Sequence, residues 1–409
     1  MPRLNESIYL IAALRTPIGK FGGGLASLTA AQLGTESAKA TLARSGIDPS
    51  AVDEVIFGNA RQAGVGPNVA RQVAIKSGLR HEVPAYTVNQ ACGSGLRAIM
   101  NAADQIRLGH ASVVLAGGTE SMSNTPYLLP RARWGYRMGD DEVVDGMLRD
   151  GFLCPLADEM MGSTAETLAE RYGITRDEQD RFAVESQAKA GRAYEENRFA
   201  EEIAPVRVAG KKGEVTIERD EHPRFDASLD SMAKLPPVFR KNGSVHAGNS
   251  SGITDGAASM LVASEAAVRA HGLQPMARIV GYAQAGVDPK IMGIGPVPAT
   301  RKLLDETGVS LDDIDLIELN EAFAAQVIAC DRELHFDPAR LNVHGGAISL
   351  GHPIGCTGAR ITTTLLHALE TRDKKLGLAT LCISGGMGLS LLVSSVHAER
   401  SAASPAAPR

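Results

Sequence analysis

The stretch NQACGSGLRAI, Asn89 to Ile99, changes character in its middle. Before it, AYTVN (Ala85 to Asn89) is strand-like. After it, Leu96, Ile99, Met100, Ala103 and Ile106 recur at helical spacing until Gly109 ends the pattern. Cys92 therefore falls at a strand-to-helix junction, where unpaired backbone N–H groups favour a thiolate. Two readings are open at this point: an activated thiol, or the small buried hydrophobe that a free cysteine often is.

Working outward, strand-like and helical runs alternate: Ile8–Leu14, Thr29–Ser45, Glu54–Phe57, Asn68–Ser77, Ala85–Val88, Leu96–Leu108 and Ser112–Ala116. That order predicts an α/β fold with a largely parallel sheet. It returns late in the chain. Gly46-Ile47, Val52-Asp53 and Val55-Ile56 before Asn59 are echoed by Gly308-Val309, Ile314-Asp315 and Ile317 before Asn320. SVVLAGG (Ser112 to Gly118) is echoed by LATLCISGG (Leu378 to Gly386). The shared offset favours two copies of one α/β unit over chance recurrence of a common pattern.

The texture changes between the halves. WGYRMGDDE is rich in glycine and charge, a capping box opens a helix at Thr175-Arg-Asp-Glu178, and RVAGKKGEVTIERDE reads as a charged hairpin. An insertion of this length reads as a lid or binding region. AASMLVAS, Ala257 to Ser264, returns to core-strand character and closes the first half. The expected division is a first half over residues 1–120, completed by 246–272, an inserted region over 121–245, and a second half over 273–397. Residues 398–409 read as a disordered tail.

Composition bounds the function. At 409 residues, 44% apolar and 22% charged, the chain is an ordinary globular protein. A net charge of −5 gives no footprint for nucleic acid or an acidic membrane, and Lys211-Lys212 and Lys374-Lys375 read as solvated loop charges. The five cysteines are scattered and form no CxxC pair, so neither a disulfide framework nor a metal site is expected, and the compartment is read as reducing and cytoplasmic. IYLIAAL is too short to span a membrane and suits a first strand.

Three late segments set polar residues among glycines: LNEAFAAQ with Asn320, HGGAISLGHPIGCTGAR with His352, and LCISGGMG with Cys382. Singly, each has a plain structural reading: a helix cap, a satisfied turn histidine, a core cysteine. A nicotinamide site fails, because neither GGMG nor GCTG supplies the dinucleotide fingerprint. The duplication alters the balance. It sets Cys92 and His352 on corresponding loops, and Asn59 and Asn320 likewise, at the carboxyl ends of strands where open α/β sheets bind ligands. Two cysteines, a histidine and an asparagine in one crevice fit covalent acyl transfer.

With those segments in view, the sequence resembles the thiolase family, by NQACGSGLRA, NEAFAAQ, GGAISLGHPIGCTGAR and CISGGMG in that order, over about Ile8 to Ser395. GGTESMSNTPYLLPRARWGYRMGD and the Ala247–Ala257 segment add to it and lean towards acetyl-CoA acetyltransferases. The resemblance implies a duplicated, five-layer αβαβα core with a large inserted loop domain. It implies Cys92 as the acyl-carrying nucleophile, His352 as its base, Cys382 as the acid/base at the α-carbon, and Asn320 as the holder of an oxyanion-hole water. Backbone N–H groups of Cys92 and Ser384 would form an oxyanion hole. Arg224, Ser231, Leu235, Ala247 and Ser251 would line the coenzyme A site. Met161 and Phe323 would wall the acyl pocket, with core packing an equal alternative.

The implied activity is condensation of two acetyl-CoA, or thiolysis of a 3-oxoacyl-CoA of medium or long chain. Coenzyme A thioesters would be substrates with no permanently bound cofactor, and the chain would form homodimers or tetramers. Cys382 speaks against a ketosynthase relative. The intact four-residue set speaks against a non-catalytic acyl-CoA or lipid carrier. Two departures bear on specificity. Acetyl-specific members often read HMG where this chain has Met160-Met161-Gly162, and Ser384 stands where CIGGGMG has glycine.

Overall fold

Val113, Val114, Leu115 and Ala116 are all buried, yet Val113 and Leu115 belong to one core and Val114 and Ala116 to another. Period-two alternation sends successive side chains to opposite faces, so this strand is covered on both sides. A computed structural model describes residues 6–397 apart from Lys211 and Lys212. The expected disordered tail over 398–409 and the Lys211-Lys212 pair lie outside the described residues.

In chain order the core strands are β1 (Ile8–Arg15), β2 (Glu54–Gly58), β3 (Ala85–Val88), β4 (Val113–Ser121), β5 (Thr254–Ser264), β6 (Pro275–Gly286), β7 (Leu316–Leu319), β8 (Leu376–Ile383) and β9 (Met387–Ser395). The main helices are α1 (Ala30–Ser45), α2 (Val69–Lys76), α3 (Ser94–Arg107), α4 (Met161–Tyr172), α5 (Arg176–Glu195), α6 (Pro296–Thr307), α7 (Ala324–Leu334) and α8 (Thr357–Thr371). The sheet order is β7-β8-β9-β6-β1-β5-β4-β2-β3, with Gly19–Lys20 pairing on β5. Among the described strands of this sheet, only β2–β3, β2–β4 and β7–β8 are parallel. The expected largely parallel sheet is thus a mixed one, because the return strands β5 and β9 run antiparallel beside β4 and β8.

The duplication is visible at the level of single hydrogen bonds. α1 and α6 both end on a left-handed glycine, Gly46 at φ 66° and Gly308 at φ 67°. Asp53 then accepts from the N–H groups of Ser112 and Val113, as Asp315 does from Lys375 and Leu376. On the return strands, Ser259 bonds Ser37 and Thr41 as Ser390 bonds Thr300 and Thr380. The two copies meet at β1 and β6, which pair antiparallel with Tyr9 opposite Arg278, so one continuous sheet joins the halves. α3 and α8 share a core with the inner faces of both halves. α1 and α2 cover the outer face of the first half, and α6 and α7 that of the second. Reading across, the layers are helix, sheet, helix, sheet, helix.

β4 continues through GGTES to Ser121 and β5 begins only at Thr254, so the inserted chain occupies what lies between. The Thr175 capping box opens α5, and Val206–Gly210 pairs with Gly213–Ile217 as a hairpin. The insertion leaves the first half and docks on the second, α4 and α5 packing against α7. Buried ion pairs fasten it back: Arg15 of β1 meets Glu202 at 2.6 Å and Asp220 at 2.7 Å.

Candidate active site

The loop carrying Cys92 is held by its own side chains. Asn89 Oδ1 accepts from Ala91 N–H at 3.0 Å, and Ser94 Oγ accepts from Gln90 N–H and donates to Ala91 O. Ala91 sits at φ 45°, a left-handed conformation unusual for a residue with a β-carbon. Cys92 lies two residues before the first residue of α3, and it alone of the five free cysteines is not buried. The small-hydrophobe reading therefore fits the other four better. Burial still pushes its thiol above the usual range, against the Ser384 N–H and the Arg61 guanidinium, which favour the thiolate. Desolvation outweighs both favourable partners.

His352 comes from the other half and arrives through a close helix crossing. A β-carbon on Gly95 of α3 would stand 2.8 Å from Ala359 N, and one on Gly358 of α8 would stand 2.2 Å from Leu96 N. Only glycines let the two helix starts approach this closely. His352 is buried, with Nδ1 2.6 Å from Thr357 Oγ1. Burial, with Arg360 and Arg61, pushes its pKa down to about 3, so the ring is neutral. The Arg61 guanidinium thus acts on Cys92 and on His352 alike.

Cys382 is the penultimate residue of β8. Burial and the neighbouring Cys92 sulfur push its thiol well above the usual range. The hairpin turn beyond it has Gly385 at φ 85° and Gly386 at φ 87°, and the Ser384 N–H in this turn favours the Cys92 thiolate. Gly386 also packs on the chain at Val287 and Pro289, where a β-carbon would stand 2.2 Å from Val287 O. Its role is to seat this turn. Asn320 follows β7 and is fully buried, and neither amide atom of its side chain has a hydrogen-bond partner among the described residues. It does not cap α7, whose capping position is Phe323. Asn59, its counterpart after β2, donates instead to Glu120 and Thr119 O.

A cavity of about 470 Å³ is lined by Met161, Arg224, Ala247, Ser251 and Phe323, together with Phe152, His222 and Phe239. Met161 and Phe323 also belong to a buried cluster containing Cys382, so they serve packing and cavity wall together. Leu235 approaches the edge of this region, where a β-carbon on Gly248 would lie 2.7 Å from its Cδ1. Ser231 is exposed and engaged with Ser228 in a short helix cap, outside the lining. Its sequence neighbourhood carries a local capping signal that a site assignment overlooks.

Two important residues escape sequence reasoning. Glu120 is fully buried and accepts from Asn59 Nδ2, Arg61 N, Ala60 N and Gly355 N, tying the loops of both halves together. Arg61 is buried over the Phe152 ring and donates to Asp150 O, with Nε and Nη2 unpartnered among the described residues. Cysteine thiols, a neutral imidazole and backbone donors at the strand ends of a doubled α/β sheet are groups that suit acyl transfer on sulfur.

The chain matches the family models described as thiolase, N-terminal domain, over residues 8–266 and thiolase, C-terminal domain, over residues 273–395. It is 53% identical to an acetyl-CoA acetyltransferase of Pseudomonas aeruginosa, covering 94% of this chain and 98% of that protein. It is 51% identical to one of Escherichia coli, covering 95% and 99%. A crystal structure of the Bacillus anthracis acetyl-CoA acetyltransferase superposes with a TM-score of 0.94 at 46% identity, covering 96% of this chain and all of that one. Human mitochondrial 3-ketoacyl-CoA thiolase in complex with CoA gives 0.92 at 43% identity, covering 97% and 99%. The chain belongs to the thiolase family.

Proposed function

We propose that the protein is an acyl-CoA acyltransferase that condenses two acetyl-CoA to acetoacetyl-CoA and CoA, and runs the reverse thiolysis. The observation that carries this reading is the packing of the Cys92 loop of one half on the β8–β9 hairpin of the other, where Gln90 Nε2 lies 3.7 Å from Met387 Sδ and a β-carbon on Gly93 would stand 2.6 Å from Ile383 Cδ1. Cys92 attacks the thioester carbonyl as His352 takes its proton. The Cys92 and Ser384 N–H groups stabilise the oxyanion, a contribution of roughly 3–4 kcal/mol in comparable sites. The carbon–sulfur bond to CoA then breaks, and CoA leaves as the thiol with that proton.

In the second half-reaction Cys382, acting as the thiolate, removes a proton from the α-carbon of another acetyl-CoA. The carbanion attacks the Cys92 thioester, the carbon–sulfur bond breaks, and the freed Cys92 sulfur takes the proton from Cys382, which returns to the thiolate. A thiol held above the usual range gives a more basic thiolate, which suits a carbon acid. Asn320, whose amide finds no partner among the described residues, holds a water that binds the second thioester oxygen. The cavity under the inserted region takes coenzyme A, with Arg224 and Ser251 in its wall. The enzyme is cytoplasmic and uses no permanently bound cofactor. It forms a homodimer or tetramer, a reading supported by the exposed side chains of Tyr127, Trp134 and Met138 before α4.

Intact-protein mass spectrometry with acetyl-CoA alone should show one acetyl adduct that Cys92→Ser abolishes. Cys382→Ser should keep the adduct and lose condensation. An undiminished adduct in Cys92→Ser, or equal loss of both steps in Cys382→Ser, contradicts the assigned roles. Longer 3-oxoacyl-CoA substrates are the second reading, favoured by Met160 in the cavity wall where acetyl-specific members often carry histidine. A rate profile across chain lengths separates the two.

A further inference from the structure

The charged groups whose fields reach the His352 ring are two cations, Arg360 of α8 and Arg61 of the loop after β2. A base in that setting meets a definite requirement. To take a proton on Nε2, the neutral ring must hold its own proton on Nδ1, and once it has done so both nitrogens donate. Nδ1 therefore needs an acceptor in both states.

Thr357 meets that requirement without a charge. Its Oγ1 lies 2.6 Å from Nδ1, and its own proton has a destination in Pro353 O at 3.0 Å. Histidine, threonine and proline are all buried, so water does not compete for these contacts. The opposite polarity, with Thr357 donating to Nδ1, would place the ring proton on Nε2 and leave no base there. It would also require the hydroxyl to turn over each time the imidazolium forms. The Pro353 O contact favours the first arrangement, which serves both protonation states unchanged.

We propose that Thr357 is a positioning residue, fixing the His352 proton on Nδ1 and leaving Nε2 free to accept the proton of Cys92. The inference rests on His352 being the base of the proposed acyl transfer. It carries a corollary. With a hydroxyl and no carboxylate at Nδ1, the resting pair is thiol and neutral imidazole, and the thiolate forms only as the thioester is attacked.

The test has three readouts. In wild-type protein with ¹⁵N-labelled histidine, the His352 resonances, assigned by their loss in His352→Gln, should show Nδ1 protonated and Nε2 bare. A proton on Nε2 overturns the proposal, whether or not any variant folds. Thr357→Val should slow acetylation of Cys92 by about tenfold or more, with KM for acetyl-CoA within about twofold, and Thr357→Ser should recover most of the rate. Wild-type speed in Thr357→Val, or a Thr357→Ser as slow as the valine variant, overturns it as well. Iodoacetamide alkylation of wild-type Cys92 should rise with pH and show no acid plateau; a plateau between about pH 5 and 7 would mean a resting imidazolium and refute the corollary and its cause. Failure of the wild type to take up acetyl from acetyl-CoA would instead sink the thiolase reading, and the histidine resonances would still report the tautomer.

Discussion

Glu120 offers the sharpest test of how the two halves are locked together. Its Oε1 accepts from Asn59 Nδ2 at 2.7 Å and Arg61 N at 3.0 Å, and its Oε2 from Gly355 N at 2.8 Å and Ala60 N at 3.1 Å. The side chain is fully buried. Glu120→Gln keeps the shape but turns one acceptor into a donor that faces two N–H groups. Each buried donor left unsatisfied costs about 1–3 kcal/mol, so the glutamine variant should lose about 2–6 kcal/mol and Glu120→Ala a similar amount or more. Against a total stability of about 5–15 kcal/mol, that is a large fraction. Gly355 lies three residues beyond His352, so acetylation of Cys92 should slow as well. Urea unfolding followed by circular dichroism measures the first effect and quench-flow mass spectrometry the second. Glu36→Gln, at a half-buried side chain that pairs with Lys39 on the surface of α1, should leave the unfolding midpoint nearly unchanged. A Glu120→Gln variant within about 1 kcal/mol of wild type would refute the reasoning, because the four donors would then have another acceptor.

Two further outcomes are expected. His344 is buried with neither ring nitrogen bonded among the described residues, and burial pushes its pKa down to about 4. The unfolded chain binds that proton near pH 6.5, so its contribution is present above about 6.5 and lost as pH falls towards 4. Buried Glu318, pushed up to about 8 by desolvation, acts in the opposite sense and loses its contribution as pH rises through that value. The comparison must therefore be between variants: wild-type stability relative to His344→Leu should fall by up to about 1.4 kcal/mol per pH unit across that window, and a constant difference would show that His344 is not kept neutral. Trp134, 84% exposed, should matter for assembly: Trp134→Ser should shift light scattering towards a smaller species. An unchanged mass for the variant, or a stable wild-type monomer at micromolar concentration, contradicts the assembly reading.

How much of this was legible in the sequence depends on the distance over which each signal acts. Period-two burial in Val113–Ala116, the Thr175 capping box and the glycine stops of α1 and α6 are local, and each is set by residues within a turn or a strand of one another. The nucleophile segment is legible for the same reason, since the Cys92 loop is shaped by Asn89 and Ser94. Glu120 was not legible. It ends an apolar strand, where a lone charge ordinarily marks the return to solvent, and its partners lie about 60 and 235 positions away. Arg61 is hidden likewise, because burial over Phe152 is a fact about the inserted region and not about its own neighbours. Thr357 stands between the two cases. It lies five residues from His352, near enough to read, but a threonine opening a helix looks like a capping residue until the Nδ1 contact shows its hydroxyl turned to the imidazole. The nucleophile and base can thus be named from short motifs. What holds them in register is a set of buried polar contacts between segments brought together only by the duplicated fold, and those contacts are where substitutions far from the motifs should reach the chemistry.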